Sequence, residues 1–181
     1  MKKKGLLLCT FCMIITLSFS CSVENQDGTG EVAVSSHPDL RFENATYTFS
    51  REGSTPIIVT ADTLQIYKEK HTAIMDNPHF LQYDENQELS IEAQAESCSI
   101  DTSDYEVTLK GQVSLSVPSN KLSITAQDLH WNDTNKTLAS DNEVTILYQN
   151  GNSITGTGFF GNMATQQMEF QSIQKGEVDE T

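Results

Sequence analysis

The sequence predicts an all-β protein in which two antiparallel sheets face one another across an apolar interior. Three features predict this fold: apolar and polar residues alternate along several segments, turn-forming residues separate the segments, and a short pattern recurs about every thirty residues. Alternation with a period of two places one set of side chains on each face of a strand, whereas a helix would scatter them around its circumference. No amphipathic helix of useful length appears in the sequence.

The clearest alternation runs from Tyr105 to Val117, where every odd position is apolar or glycine and every even position is polar. We predict two strands here that meet at a bend at Gly111, because glycine in a strand pattern often marks a bend. Shorter alternating runs lie at 89–95, 122–126, 129–131 and 144–148. The predicted turns between the strands are 118–120, 132–135, 141–142 and 150–152.

A weak internal repeat supports the two-sheet arrangement. Small residues recur at matched positions of four similar segments, at Ala61, Ala93, Ala126 and Gly156. A period near thirty residues indicates stacked units, each too thin to bury its own apolar face. Each unit is expected to be an out-and-back pair of strands, with the small residue where the chain bends between the sheets.

The N-terminus has the parts of an export signal in their usual order. Lys2, Lys3 and Lys4 precede an uncharged apolar run over residues 5–19, and Ser20 then precedes Cys21. This arrangement resembles the bacterial lipobox, although its preferred leucine lies one residue early. We expect a signal peptide over residues 1–20 and a lipidated Cys21. An uncleaved membrane anchor over about residues 5–23 and cleavage at another site are the alternatives.

The rest of the chain divides by composition. Residues 21–38 contain few large apolar side chains and are predicted to form a flexible tether. The folded domain is predicted over residues 39–176, and an acidic tail over 177–181. With a lipid anchor or a membrane helix, this domain would lie outside the cytoplasm.

Charge excludes one class of ligand. The chain has 11 basic and 25 acidic residues, and removal of the three signal lysines leaves eight basic residues and a net charge of −17. Nucleic acid is excluded as the main ligand, because binding a phosphate backbone requires a basic surface. An anionic lipid could still bind if its acyl chains supplied the affinity and its head stayed in solvent.

Cysteine and histidine positions give no metal, cofactor or disulfide site. Cys9 and Cys12 lie in the signal, Cys21 is the expected lipid attachment site, and Cys98 is the one cysteine of the domain. We expect Cys98 to be a small buried residue in a strand. The four histidines are far apart in the sequence and are not spaced as metal ligands usually are; they are His37, His71, His79 and His130. No nucleophile elbow, phosphate loop or zinc-protease motif is present, so no catalytic residue is predicted.

Four short motifs follow one another in a known order: LKGQV at 109–113, LSITAQDLHW at 122–131, LASDNEVTI at 138–146 and, after Gly151, ITGTGF at 154–159. In this succession the chain resembles the LptC family of lipopolysaccharide-export proteins. The LptA-like bridging proteins share much of the pattern, but they are soluble, so the membrane tether favours LptC. The resemblance implies an open, taco-shaped antiparallel β-jellyroll in the periplasm, anchored to the inner membrane.

The resemblance also implies a function without catalysis. Such a protein takes lipopolysaccharide, or lipooligosaccharide, from an inner-membrane ABC transporter and passes it to an LptA-like bridge. The groove between the two sheets of such a jellyroll would bind acyl chains, and each methylene buried there would contribute about 0.8 kcal/mol to binding. Its expected lining residues are Tyr105, Val107, Leu109, Val113, Leu115, Val117, Leu122, Ile124, Leu129, Val144, Ile146 and Phe159. Alternation alone fits a filled sandwich core equally well.

Three glycines align with glycines of the family near strand ends: Gly111, Gly156 and Gly158. Their expected role is to bend strands or to allow a positive φ, and Gly156 and Gly158 could also border a partner. A surface-exposed structural β lipoprotein without lipid transport is the alternative function from another class, because the acidic, Ser/Thr-rich exterior fits it as well.

Overall fold

The computed structural model describes residues 37–50, 55–165 and 167–178. The predicted signal peptide, Cys21 and nearly all of the predicted tether lie outside these residues, as does most of the acidic tail. Contacts divide the chain between Ala33 and Val34, and every described residue belongs to the second unit. Within these ranges, no helical segment has the length and hydropathy needed to span a bilayer.

The described residues form eleven β-strands and one 3₁₀ turn at Pro118–Asn120. The strands are β1 (Leu40–Phe49), β2 (Ile57–Tyr67), β3 (Thr72–Asp76), β4 (His79–Tyr83), β5 (Leu89–Gln94), β6 (Ser97–Asp101), β7 (Val107–Val117), β8 (Leu122–Asn132), β9 (Thr137–Tyr148), β10 (Ser153–Asn162) and β11 (Gln167–Glu177). All pairings are antiparallel, so the predicted all-β antiparallel class is confirmed.

The strands form one long antiparallel meander. β3 and β4 lie end to end and together pair along one side of β2, from Tyr67 back to Ile57. β6 pairs with β3, and β5 pairs with β4. On their other side, β5 and β6 both pair with β7, so they also lie end to end. β8, β9, β10 and β11 then follow in sequence order. The sheet therefore runs from β1 at one edge to β11 at the other.

Each long strand is interrupted near its middle, and the interruptions lie opposite one another. Pairing skips Asn44 in β1, shifts between Lys110 and Val113 in β7, and shifts between Thr157 and Phe159 in β10. Several of these residues have a positive φ, including Asn44, Asn77, Gly111, Gln112 and Gly158. Asparagine and glycine adopt this conformation at low cost, so the sequence allows the sheet to bend here. We call this row of interruptions the bend line.

The bend line divides the sheet into two halves. Half A contains β4, β5 and the segments that pair beside them, whereas half B contains β3, β6 and the neighbouring segments. Buried residues of both halves form one core, with Val59, Val113 and Val144 from half A and Met75 and Phe159 from half B. The two predicted sheets are thus the two halves of one folded sheet.

Two predictions about local structure were wrong. Residues 107–117 form one bent strand rather than two, because Gly111 and Gln112 both take positive φ while the backbone N–H of Glu96 still bonds Lys110 O and Gly111 O. Residues 141–142 are no turn but lie inside β9. There the Asn142 side chain donates to Asp128 Oδ1 at 2.8 Å, which stabilises a bulge.

The small residues of the internal repeat lie where the sheet bends. Ala61 and Ala126 are each the last inward-facing residue before the bend line. Ala93 is buried one residue before β5 ends its pairing with β7, and Gly156 is buried two residues before Gly158. Small side chains fit these positions because the two halves approach each other most closely at the bend.

Candidate functional site

The centre of the interior is filled by the protein's own side chains. Val144, Ile124 and Ile146 are at most 1% exposed. Eight predicted groove residues belong to the buried core, namely Leu109, Val113, Leu122, Ile124, Leu129, Val144, Ile146 and Phe159. Val107 and Leu115 pack against that core, and Val117 is half-buried. The pattern from Val107 to Phe159 therefore marks one continuous apolar interior.

Tyr105 lies apart from this interior. It precedes β7, has a φ of 62° and is 48% exposed. Its backbone N–H donates to Asp101 O at 2.9 Å, which places Tyr105 in the turn between β6 and β7. Tyr105 fits the alternation of apolar residues at odd positions by coincidence, because the strand that produces this alternation begins only at Val107.

At one edge of the sheet, β1 carries apolar residues on its inward face that remain exposed. Phe42 pairs with Leu64 and Tyr47 pairs with Val59, so both share a face with core residues. Nevertheless, Leu40 is 41%, Phe42 47% and Tyr47 45% exposed. Among the described residues, β1 pairs with β2 alone, so no strand covers its outer side.

The opposite edge has the same character. On β11, Phe170 pairs with Phe159 and packs against its ring at a centroid distance of 5.3 Å. Ile173 pairs with the buried Gly156, yet it is 64% exposed. In the described part of the chain, β11 pairs only with β10. The apolar inward face thus continues past the packed centre onto both edge strands.

The predicted glycines lie along the bend and beside β11. A Cβ on Gly156 would lie 2.5 Å from Ser172 O and 2.7 Å from the Phe170 ring, so a side chain there would push β11 away. Gly158 has a φ of 64° and lies beneath the Gln171 side chain. Gly111 has a φ of 74° and lies beneath Glu96. Gly156 is therefore needed for close packing, whereas the other two are needed for backbone conformation.

Sequence reasoning missed the inward residues of the two edge strands. In β1, Leu40 and Phe42 alternate with Arg41 and Glu43, and Tyr47 and Phe49 alternate with Thr48. Asn44 shifts the alternation by one residue, because its positive φ turns the strand at the bend line. Reading each half of the strand separately would have identified this inward face.

The outer face is polar. Hydroxyl residues occupy paired positions across four strands, where Ser114 pairs with Thr125, Thr125 with Thr145, and Thr145 with Thr155. The hydroxyls of Thr145 and Thr155 are 2.9 Å apart. Farther along, His79 Nε2 lies 2.8 Å from Glu92 Oε1. Among the described residues, no group of three His, Cys, Asp or Glu side chains could hold a metal ion. The sheet is thus apolar inside and hydrophilic outside.

Cys98 offers a direct test of core packing. It is 2% exposed, and burial raises the pKa of its thiol to about 12. Because the thiolate is the reactive form, we expect alkylation of Cys98 by iodoacetamide at pH 8 to be at least about a hundredfold slower in the native chain than in urea. Mass spectrometry of the peptide that contains Cys98 measures this rate. Equal rates in both conditions would mean that the interior is open to solvent at this strand.

Comparison with known proteins agrees with this architecture. The structure is similar to the crystal structure of LptH, the LptA homologous periplasmic component of the lipopolysaccharide transport device from Pseudomonas aeruginosa. The TM-score is 0.57 at 13% sequence identity, over 70% of this chain and 96% of LptH, so the two share a β-jellyroll fold. No curated protein sequence matches the chain.

A family model provides the assignment that fold similarity alone cannot. The model, described as lipopolysaccharide-assembly, LptC-related, matches residues 6–179. This range includes every described residue and nearly all of the sequence. It also contains the four successive motifs between residues 109 and 159 and the antiparallel meander that they form. The chain belongs to the LptC-related family of lipopolysaccharide-assembly proteins.

Proposed function

We propose that this protein is a membrane-tethered periplasmic carrier. It accepts lipopolysaccharide, or a related lipooligosaccharide, from an inner-membrane ABC transporter and passes it to an LptA-like bridge, with no catalytic step of its own. The observation that carries this proposal is the inward apolar face that stays exposed on both edge strands, at Phe42 on β1 and Ile173 on β11. A closed sandwich core would have no need of apolar residues at such exposed positions.

The acyl chains bind along the inward face of the folded sheet. Because Ile124 and Val144 are packed at its centre, lipid entry requires the two halves to part on the side opposite the bend line. In this proposal the halves move about the bend line, where Gly111, Gln112 and Gly158 have a positive φ. Each methylene that leaves water contributes about 0.8 kcal/mol, so a few acyl chains offset the separation of several core contacts.

The edge strands pass the lipid between proteins. An edge strand presents unpaired N–H and C=O groups, which is ordinarily an aggregation hazard. Addition of a partner strand at β1 or β11 would satisfy these groups and cover the exposed Phe42 or Ile173. The apolar face of one protein would then continue into the next, so the acyl chains need never enter water.

The N-terminal segment keeps the carrier at the membrane. In this proposal residues 1–20 are removed as a signal peptide, Cys21 carries lipid, and residues 21–38 form a tether for the jellyroll over 39–176. Residues 177–181 form an acidic tail. Two or more acyl chains hold a protein stably on a leaflet, so the carrier stays beside its transporter.

Depletion of the protein in the bacterium that encodes it tests the function. We expect newly made lipopolysaccharide to accumulate in the inner-membrane fraction, and re-expression of the wild-type chain to restore its export. Protease added to intact cells should leave the protein uncut, because it lies in the periplasm. Normal lipopolysaccharide export after depletion, together with cleavage by external protease, would instead support a surface-exposed structural lipoprotein.

A further inference from the structure

We propose that the carrier selects a glycolipid whose sugar head bears few or no phosphate groups. This inference rests on the proposed function, because it names the class of glycolipid that is carried along the inward face. The observation that carries it is an excess of carboxylates in the turns at the strand ends, on the side opposite the bend line. We call these turns the rim, and its described residues are 84–88, 118–121 and 149–152 on half A and 68–71, 102–106, 133–136 and 163–165 on half B.

The sugar head of a carried glycolipid would lie at the rim. Acyl chains between the two halves contact inward residues, and buried inward residues lie next to the rim turns, with Leu122 on half A and Ala73 and Leu138 on half B. On the opposite side β7, β8, β9 and β10 continue across the bend line. A sugar head cannot enter the apolar interior without losing its hydrogen bonds to water, so it stays among the turns.

The rim is acidic on both halves of the sheet. Its described residues include seven carboxylates and four lysines, a net charge of −3 with histidine neutral. One of the lysines already has an acidic partner, since Lys136 Nζ lies 2.9 Å from Asp133 Oδ1. The carboxylates are Glu69, Asp84, Glu85, Glu88, Asp104, Glu106 and Asp133, and the lysines are Lys68, Lys70, Lys121 and Lys136.

The turn between β4 and β5 concentrates this charge. It carries Asp84, Glu85 and Glu88 within five residues and contains no cation. The Asp84 side chain is used inside the turn, because its Oδ1 accepts from the backbone N–H of Asn86 at 2.8 Å and of Glu88 at 2.9 Å. Glu85 and Glu88 are exposed. Their carboxylates therefore remain available to repel an anion at the end of half A.

The charge of the head decides between two glycolipids with the same acyl chains. Burial of identical chains contributes the same free energy to both, so it cancels in the comparison. A phosphate monoester carries a charge of about −1.5 to −2 at pH 7, and it would meet the like charge of the rim. Like charges in solvent repel most at low ionic strength and little in concentrated salt. We therefore expect a salt-dependent preference for the head without phosphate.

Lipid affinity of the full chain tests this preference. The probes are bisphosphorylated lipid A and the same lipid after phosphatase treatment, each in nonionic detergent micelles at pH 7 with EDTA, so that no divalent cation bridges phosphate and carboxylate. In about 0.1 M salt we expect the dephosphorylated lipid to bind about three- to fivefold more tightly. In about 1 M salt, where the Debye length is about 3 Å, the difference should fall below about twofold.

A pair of charge-removing variants locates the cause. Glu85→Gln with Glu88→Gln removes two carboxylates from the rim and keeps the size of both side chains. The matched control is Asp141→Asn with Glu143→Gln, which removes two exposed carboxylates from β9 at the bend line. In about 0.1 M salt, where the Debye length is about 10 Å, the rim variant should bind the two lipids within about twofold of each other. The control variant should keep the preference of the wild type.

The outcomes separate this inference from the proposed function. If the wild type binds phosphorylated lipid A as tightly as the dephosphorylated lipid, or more tightly, the inferred selectivity is overturned and the carrier role stays intact. If the rim variant keeps the full preference, or the control variant loses it equally, the rim carboxylates are not its cause and the inference fails. Binding of neither lipid by the wild type would overturn the inference and the carrier role together.

Discussion

Phe159→Ala is expected to lower the free energy of unfolding by about 3–5 kcal/mol, because it removes a large buried ring from the centre of the core. Phe159 is 2% exposed and packs against Phe170 of β11. It also pairs with Ser140 of β9, so it lies where three strands of half B meet. Loss of the ring leaves a cavity and removes the contact between the rings of Phe159 and Phe170, which helps to hold β11 to the sheet.

The neighbouring residue provides the control. Phe160 has the same side chain but lies on the outer face and is 44% exposed, so Phe160→Ala should cost less than about 1 kcal/mol. Urea denaturation of both variants, followed by the fluorescence of Trp131, measures the difference; the chain contains one tryptophan. Similar costs for the two substitutions would mean that the inward face is not a packed core.

Ile173→Glu is expected to weaken binding of an LptA-like partner by at least about tenfold, because it would place an unpaired charge at a junction between two apolar faces. Ile173 is 64% exposed in the isolated chain. The same substitution should therefore change the stability of the carrier by less than about 1 kcal/mol. A large loss of binding with little loss of stability is the signature of an interface residue.

The matched control is Ser172→Glu, one residue earlier on β11. Ser172 pairs with Thr157 and, by strand alternation, points to the outer face. This control adds the same charge to the same edge strand without entering the apolar face. Titration of purified partner onto each variant measures the affinities. Equal weakening by both substitutions would show that charge at the edge, rather than the inward face of β11, decides partner binding.

The period-two pattern predicted the interior of β7, β8 and β9 correctly, because those strands are central and each inward residue has neighbours on both sides. Leu109, Ile124 and Val144 were all identified in this way, and all are buried. The pattern predicted the position of the bend at Gly111 as well. It failed at residues 141–142, since the same polar residue types favour both a hairpin turn and a bulge within a strand.

The exposure of an inward residue could not be predicted from alternation. Phe42 and Ile124 occupy equivalent positions in their local patterns, yet one is 47% and the other 1% exposed. The difference depends on how many strands lie beside each residue, which is set by the order of the whole sheet. The two edges, and hence the sites proposed for partner binding, therefore became visible only in the structure.

Photocrosslinking in living cells tests the central claim, that glycolipid passes along the inward face. A UV-activated amino acid is placed at Leu115, a half-buried inward residue of β7, or at its outward neighbour Ser114, and the products are probed for lipopolysaccharide. We expect an adduct at Leu115 and none at Ser114. With both variants expressed and folded, absence of an adduct at Leu115, or equal adducts at both positions, would contradict lipid transport through the folded sheet.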